Sequence, residues 1–250
     1  MIDEGVKMKL TVLGRWGAFP KAGEATSGYL LDTGNHKILI DCGSGVLANL
    51  FKHIRSEELD AVFISHFHYD HIADLGCLLY ATRIAMGFKR RNDPLIIYAC
   101  SQNPLFSKLT YLNHTKGLEI NPNIELNLDG LKISFKQTVH DEYNLAMKFE
   151  YGNKVLVYTG DMGFEPNFFD FCTKADLLVC ETSLFEDEEG LFKGHMTSRQ
   201  AATLAQKANV KKLLLTHFPH QRNIFDLATE SSKYFNGVIK LAEINKTYEV

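Results

Sequence analysis

The chain has 250 residues, 45% of them hydrophobic, and its 27 basic and 30 acidic side chains give a formal net charge of −3. That is enough apolar material for a sizeable core and excludes a chain dominated by disorder. The near-balanced charge gives no broad basic field to steer the whole protein onto nucleic acid, so such a substrate would need a local basic patch. Five cysteines (Cys42, Cys77, Cys100, Cys172 and Cys180) are scattered and include no Cys-x-x-Cys pair. They read as reduced, mostly buried thiols rather than a disulfide framework. The N-terminal segment carries acidic residues and no long apolar run, and no stretch of about 18 apolar residues occurs to span a bilayer. A soluble, cytoplasmic protein without membrane contact is expected.

Residues 8–13 are β-like, and 28–31 and 38–40 flank the turn-forming Asp32-Thr33-Gly34-Asn35, predicting an early hairpin. Helical spacing over 46–54, a short apolar run over 61–64 and helical spacing over 72–86 predict a helix, a buried strand and a second helix. The His-rich segment between them then falls in a loop at a strand's C-terminal end. Residues 95–99 form another apolar strand, followed by a meander over 124–128, 131–135, 145–151 and 155–158, with Asp129-Gly130 and Gly152-Asn153 as turns. Strands are predicted over 177–180 and 213–216, with a helix between them opened by the capping box Thr197-Ser198-Arg199-Gln200. No linker divides the chain, and each half reads as a β meander followed by β/α units. One α/β domain over 1–250 is expected, with two sheets packed together and helices outside.

The informative feature is His66-Phe67-His68-Tyr69-Asp70-His71 in a chain with ten histidines. A chance His-x-His-x-Asp-His is expected in on the order of one in a thousand chains of this composition, so the run reads as a metal site. In an extended loop residues i and i+2 share a face, so His66 and His68 converge on one cation while Asp70 and His71 turn toward a neighbouring one. Imidazole nitrogen and carboxylate oxygen suit Zn²⁺, and the same set accepts Fe or Mn. Completing two coordination spheres needs ligands from other strand ends, and three fit: His140 after 133–139, Asp161 after 155–158, and His217 after 213–216. Taken singly, each is more often a hydrogen-bonding loop residue; the His-rich run is what makes them candidate ligands.

This order of motifs resembles the metallo-β-lactamase superfamily over nearly the whole chain. The resemblance implies a four-layer αββα sandwich and two zinc ions, with His66, His68 and His140 on one, Asp70, His71 and His217 on the other, and Asp161 bridging. Asp41, before Cys42-Gly43-Ser44-Gly45, matches the family's first motif, where an acid supports the ligand loops; a turn-capping aspartate is the alternative. Two further pieces resemble the tRNase Z-like branch, which also implies a homodimer. Cys180-Glu181-Thr182-Ser183 resembles its His-Glu-Ala-Thr motif with the Glu retained, and Gly194-His195-Met196-Thr197-Ser198 resembles its second catalytic-histidine motif. By that resemblance Glu181 orients His195, and His195 assists at the scissile phosphate. The alternative for His195 is a cap on the following helix.

Several departures narrow the chemistry. Asp161 stands where the common zinc β-lactamases carry cysteine, arguing against antibiotic hydrolysis, and His68 stands where redox di-iron relatives carry glutamate. Only twenty residues separate His140 from Asp161, leaving no room there for the branch's tRNA-binding arm. Lys89-Arg90-Arg91 reads as a solvated face rather than a phosphate contact. Trp16, Phe19 and Tyr69 are candidates to line the cleft, with core packing favoured for Phe19. The chemistry expected is hydrolysis of a small phosphodiester or nucleic-acid end by a hydroxide bridging two ions about 3.5–4 Å apart. Asp70 would help orient it, and His195, held by Glu181, would protonate the departing oxygen. The alternatives are an ester, thioester or lactone hydrolase on the same metals, and a non-catalytic binding or regulatory protein on the same fold, for which lost ligands would be expected.

Overall fold

The computed structural model describes residues 7–250. Two seven-stranded sheets face one another. The first contains β1 (Lys9–Gly14), β2 (Gly28–Asp32), β3 (Lys37–Ile40), β4 (Ala61–Phe63), β5 (Leu95–Ala99) and β6 (Thr115–Glu119) in that order. The second contains β7 (Glu125–Leu128), β8 (Leu131–Gln137), β9 (Leu145–Tyr151), β10 (Lys154–Tyr158), β11 (Leu177–Glu181), β12 (Lys212–Thr216) and β13 (Val238–Leu241). The last strand, β14 (Thr247–Glu249), returns to the first sheet and pairs antiparallel with β1. Each sheet is antiparallel on one side and parallel on the other: β3 to β6 run parallel, as do β10 to β13.

Helices α1 (Val46–Leu50), α2 (Tyr69–Ile72) and α3 (Leu75–Gly87) belong to the first half, and α4 (Phe169–Cys172), α5 (Ser198–Lys207) and α6 (Phe225–Ser231) to the second. α1 and α3 pack on the first sheet and α5 and α6 on the second, giving the expected αββα layering. Strands facing the core read as nearly continuous apolar runs because helices cover their outer faces, as in Leu177–Glu181, buried at every position. Between the sheets Phe63 packs on Phe135 and Phe149, with ring centroids 6.2 and 5.8 Å apart. The buried apolar residues of both sheets form one continuous cluster.

Two expected helices are shorter than their apolar spacing. Residues 51–53 stand in solvent, and the turn after α1 tightens through Lys52 N–H to Asn49 and His53 N–H to Leu50. The second break falls just after the His-rich motif, between Ile72 and Leu75, so Asp70 and His71 sit on a short separate helix rather than an extended loop. In an unbroken helix the carbonyls of Asp70 and His71 would accept from residues 74 and 75. They accept instead from Ser27 N–H at 3.1 Å and Cys42 N–H at 2.7 Å, while Asp74 N–H donates to Cys42 at 3.0 Å. Residues just before β2 and just after β3 thus take the bonds that would continue the ladder.

Candidate metal centre

The parallel strands deliver most of the candidate side chains at their C-terminal ends, where crevices of α/β sheets bind ligands. Asp41 follows β3, His66 and His68 follow β4, Asp161 follows β10, Glu181 ends β11 and His217 follows β12. Only His140 comes from an antiparallel strand, just after β8. Asp41 and His217 both adopt left-handed backbone, with φ of 55° and 56°, turning each chain sharply at the strand end.

All seven candidate ligands come together in two adjoining groups. In the first, His66 Nε2 lies 3.0 Å from His68 Nδ1, which lies 3.1 Å from His140 Nε2, and Asp161 Oδ2 is 3.8 and 3.9 Å from His66 and His140. Nitrogens held about 2.0–2.1 Å from a tetrahedral zinc sit about 3.3 Å apart, close to this spacing. In the second, Asp70 Oδ2 is 3.1 Å from His217 Nε2 and 3.6 Å from His71 Nε2. The Asp161 carboxylate faces both groups, with Oδ1 3.4 Å from His71 Nε2 and Oδ2 3.3 Å from His217 Nε2.

Four of the imidazoles turn Nε2 inward and engage Nδ1 outside. Their partners are Ser65 Oγ for His66, Asp41 for His71, the Gly194 carbonyl for His140 and Ser183 Oγ for His217. Such outer bonds fix the tautomer that leaves an inward lone pair for a cation. Among the described residues His71 Nε2 and Asp161 Oδ1 are buried without a hydrogen-bond partner, and a cation between them would satisfy both. The donor set therefore fits divalent metal.

Asp41 supports this arrangement. Fully buried, it accepts from Ser65 N–H and Oγ–H, from His71 Nδ1 at 2.7 Å and from Tyr158 Oη at 2.7 Å. Of its two readings, support of the ligand segment matches these contacts.

The electrostatics divide the groups. Burial, reinforced by the neighbouring His71 charge, holds His66 well below the ordinary imidazole range, and burial also lowers His140. For His71 and His217 burial acts the same way but is outweighed, for His71 by Asp161 and Asp41 and for His217 by Asp161 and Asp70, so both are raised. Burial raises Asp70 and Asp161, but the facing histidines more than reverse it. The second group demands positive charge, which is what a cation supplies.

Glu181 and His195 form a pair beside the second group. Glu181 Oε1 lies 3.0 Å from His195 Nδ1 and also accepts from Met162 and Met196 N–H, while Oε2 accepts from Ser183 N–H and Oγ–H. Burial opposes protonation of His195, but the Glu181 charge outweighs it and lifts the imidazole to about 9. The helix-cap alternative does not hold, because Thr197 Oγ1 caps α5 and Gln200 completes the box. His195 is nearly parallel to His217, with centroids 5.6 Å apart, and it forms a third group of possible ligands with Asp161 and His217.

Ser183, unmarked in the sequence reading, joins this pair to the ligands, its Oγ lying 2.7 Å from Glu181 Oε2 and 2.8 Å from His217 Nδ1. A hydroxyl at that place in the Cys180–Ser183 segment was the available signal. The aromatic assignments reverse: Trp16 is buried, 3% exposed, whereas Phe19 is 56% exposed at the cleft. Tyr69 also stands in solvent. The basic run follows the C-terminus of α3, a helix whose other end lies by the motif, and Arg91 there donates to the Leu59 and Asp93 carbonyls. β9 and β10 form a hairpin turning at Gly152, so no arm projects between His140 and Asp161.

Sequence and structure comparisons give the family and the fold. Residues 36–218, which contain all seven candidate ligands together with Asp41, Glu181 and His195, match the family described as the beta-lactamase superfamily domain. The chain is 40% identical over 243 residues to "Probable metallo-hydrolase YhfI" of Bacillus subtilis, covering 97% of this chain and 100% of that one. The crystal structure of YhfI superposes with a TM-score of 0.93, over 98% of this chain and 100% of that one. A ribonuclease Z of Methanosarcina acetivorans is 24% identical over 296 residues, covering 93% of this chain and 95% of the relative. Human tRNase Z, short form, at 20% identity, shares the fold with a TM-score of 0.74 over 96% of this chain and 98% of that one. The chain belongs to the β-lactamase superfamily and has its metallo-β-lactamase αββα fold. Within it the chain is a metallo-hydrolase with tRNase Z-like relatives.

Proposed function

We propose that the protein hydrolyses a phosphodiester, small or at a nucleic-acid end, using two divalent cations, of which zinc suits the donors best. His66, His68 and His140 would hold one ion, Asp70, His71 and His217 the other, with Asp161 shared. When bound, the pair supplies Lewis-acid charge for the phosphoryl oxygens and for acidifying water. Asp70, held by Ala18 N–H at 2.8 Å, helps orient the attacking water.

The observation that carries the phosphodiester reading is the Glu181–His195 pair. With Nδ1 engaged by Glu181 at 3.0 Å, Nε2 is the nitrogen left to carry a proton to a departing alkoxide. A dedicated proton donor matters most when such a poor leaving group must depart. The ribonuclease Z relatives support the same class of substrate, whereas the plain β9–β10 hairpin argues against efficient processing of precursor tRNA.

The test compares bis(p-nitrophenyl) phosphate, a thioester and a precursor tRNA as substrates of zinc-loaded protein and of His195→Ala. Cleavage of the activated diester supports the reading; because p-nitrophenolate departs without a proton, the loss of about 10²- to 10⁴-fold in kcat in His195→Ala is expected on a diester with an alkoxide leaving group, such as a dinucleoside phosphate. Thioester cleavage far faster than any phosphodiester would overturn it in favour of carbonyl chemistry on the same metals.

A further inference from the structure

A cavity of about 310 Å³ opens beside the metal centre, with Phe19, Phe192, Pro219 and Gln221 among its walls and His195 and His217 on its inner side. One wall is the end of a prebuilt stack of rings. Trp16 is anchored in the interior by its indole N–H on Glu24 Oε2 at 2.6 Å. His220 lies on Trp16 with centroids 4.8 Å apart and planes at 21°, and Phe19 lies on His220 at 3.9 Å and 6°. His220 Nε2–H donates to the Phe19 carbonyl at 2.9 Å, and the preceding residue, Ala18, is tied to Asp70. The stack is held at its base, its middle and its end, yet Phe19 remains 56% exposed. Phe192, lining the same cavity, is also 56% exposed. Single exposed rings are ordinary on a surface. Two lining one cavity beside a polar centre make an apolar subsite next to a charged one, the pattern of a site that fixes a substrate's body separately from its reacting group.

We propose that this cavity is the leaving-group subsite and takes a flat aromatic ring, stacked on Phe19 as the fourth member of the column. Its assignment to the leaving side rests on the reading of His195 as proton donor, because His195 forms its inner wall. The centroid spacings within the column are those of stacked rings, so a planar ring continues it where a puckered ring of equal size does not. The rings are built before any substrate arrives, so little ordering is needed on binding.

Calorimetric titration of zinc-loaded protein with benzylphosphonate and cyclohexylmethylphosphonate tests this. The two carry the same charged group and rings of similar size, and neither can be hydrolysed, so the result stands apart from whether the protein cleaves diesters. The expected result is that benzylphosphonate binds about tenfold more tightly and that Phe19→Leu or Phe192→Leu removes most of the difference. Equal binding of the two by the wild type, binding of neither, or a preference that survives in both variants would overturn the proposal. Phe19 and Phe192 are exposed, so neither substitution removes core packing.

Discussion

Ser183 Oγ lies 2.8 Å from His217 Nδ1, and the same hydroxyl donates to Glu181 Oε2 at 2.7 Å. One proton on the hydroxyl can serve only one acceptor, so His217 donates its Nδ1–H to Ser183 and keeps Nε2 free for a cation. Ser183→Ala should weaken binding of the second ion about 10- to 100-fold, while Ser183→Thr keeps it near wild type. Competition with a chromophoric chelator measures this, and wild-type affinity in Ser183→Ala would show that the hydroxyl is incidental.

Glu181 accepts from His195 and four other donors, none of which removes its charge. Glu181→Gln keeps the shape but withdraws the charge that holds His195 protonated. Turnover of a phosphodiester should fall about 10²-fold or more at neutral pH, with metal content unchanged. A variant as fast as wild type would remove Glu181 from the chemistry.

Gly160 turns the chain into Asp161 with φ of 56°, and a Cβ there would lie 2.4 Å from Asn144 Oδ1. Asn144 is buried and donates to both Thr138 and Thr159, so it has little room to move. Gly160→Ala should cost about 2 kcal/mol and lower Tm by about 4–8 °C. Thermal unfolding of metal-free protein isolates this from metal binding, and an unchanged Tm would show that the turn relaxes freely.

Glu24 binds the Arg15 guanidinium through both oxygens and also accepts from Trp16. Burial pushes the carboxyl upward, but Arg15 and the indole N–H outweigh it and hold it below the ordinary value of 4.5. A carboxylate lowered in the folded state stabilises above the unfolded value and loses that contribution as pH falls through the folded one. Glu24→Gln should therefore unfold about 1–4 °C below wild type at neutral pH, with the gap closing below pH 4.5. A gap independent of pH would assign Glu24 a packing role alone.

The metal segment was legible because ligands at alternate positions after an apolar strand need only local geometry to converge. His140, Asp161 and His217 were legible as strand-end residues, since parallel strands deliver their C-terminal loops to one crevice. Glu181 and His195 were readable only through resemblance, because nothing in their spacing announces a pair closed by tertiary packing. The break between Ile72 and Leu75 depends on Ser27 and Cys42 taking helix carbonyls, an arrangement no helical periodicity encodes. Strands β6, β13 and β14 went unread because they alternate weakly, with mostly exposed or half-buried positions. Trp16 and Phe19 exchanged roles for a similar reason: the indole finds Glu24 eight residues on, and Phe19 finds His220 two hundred residues away.

The most direct test of the two-cation centre is the zinc content of the chain, measured by elemental mass spectrometry after stripping, reloading and removal of loosely held ion. The arrangement of His66, His68, Asp70, His71, His140, Asp161 and His217 predicts two ions per chain in the wild type and no more than one in Asp161→Ala. Fewer than one ion in the wild type, or two retained in Asp161→Ala, would contradict it.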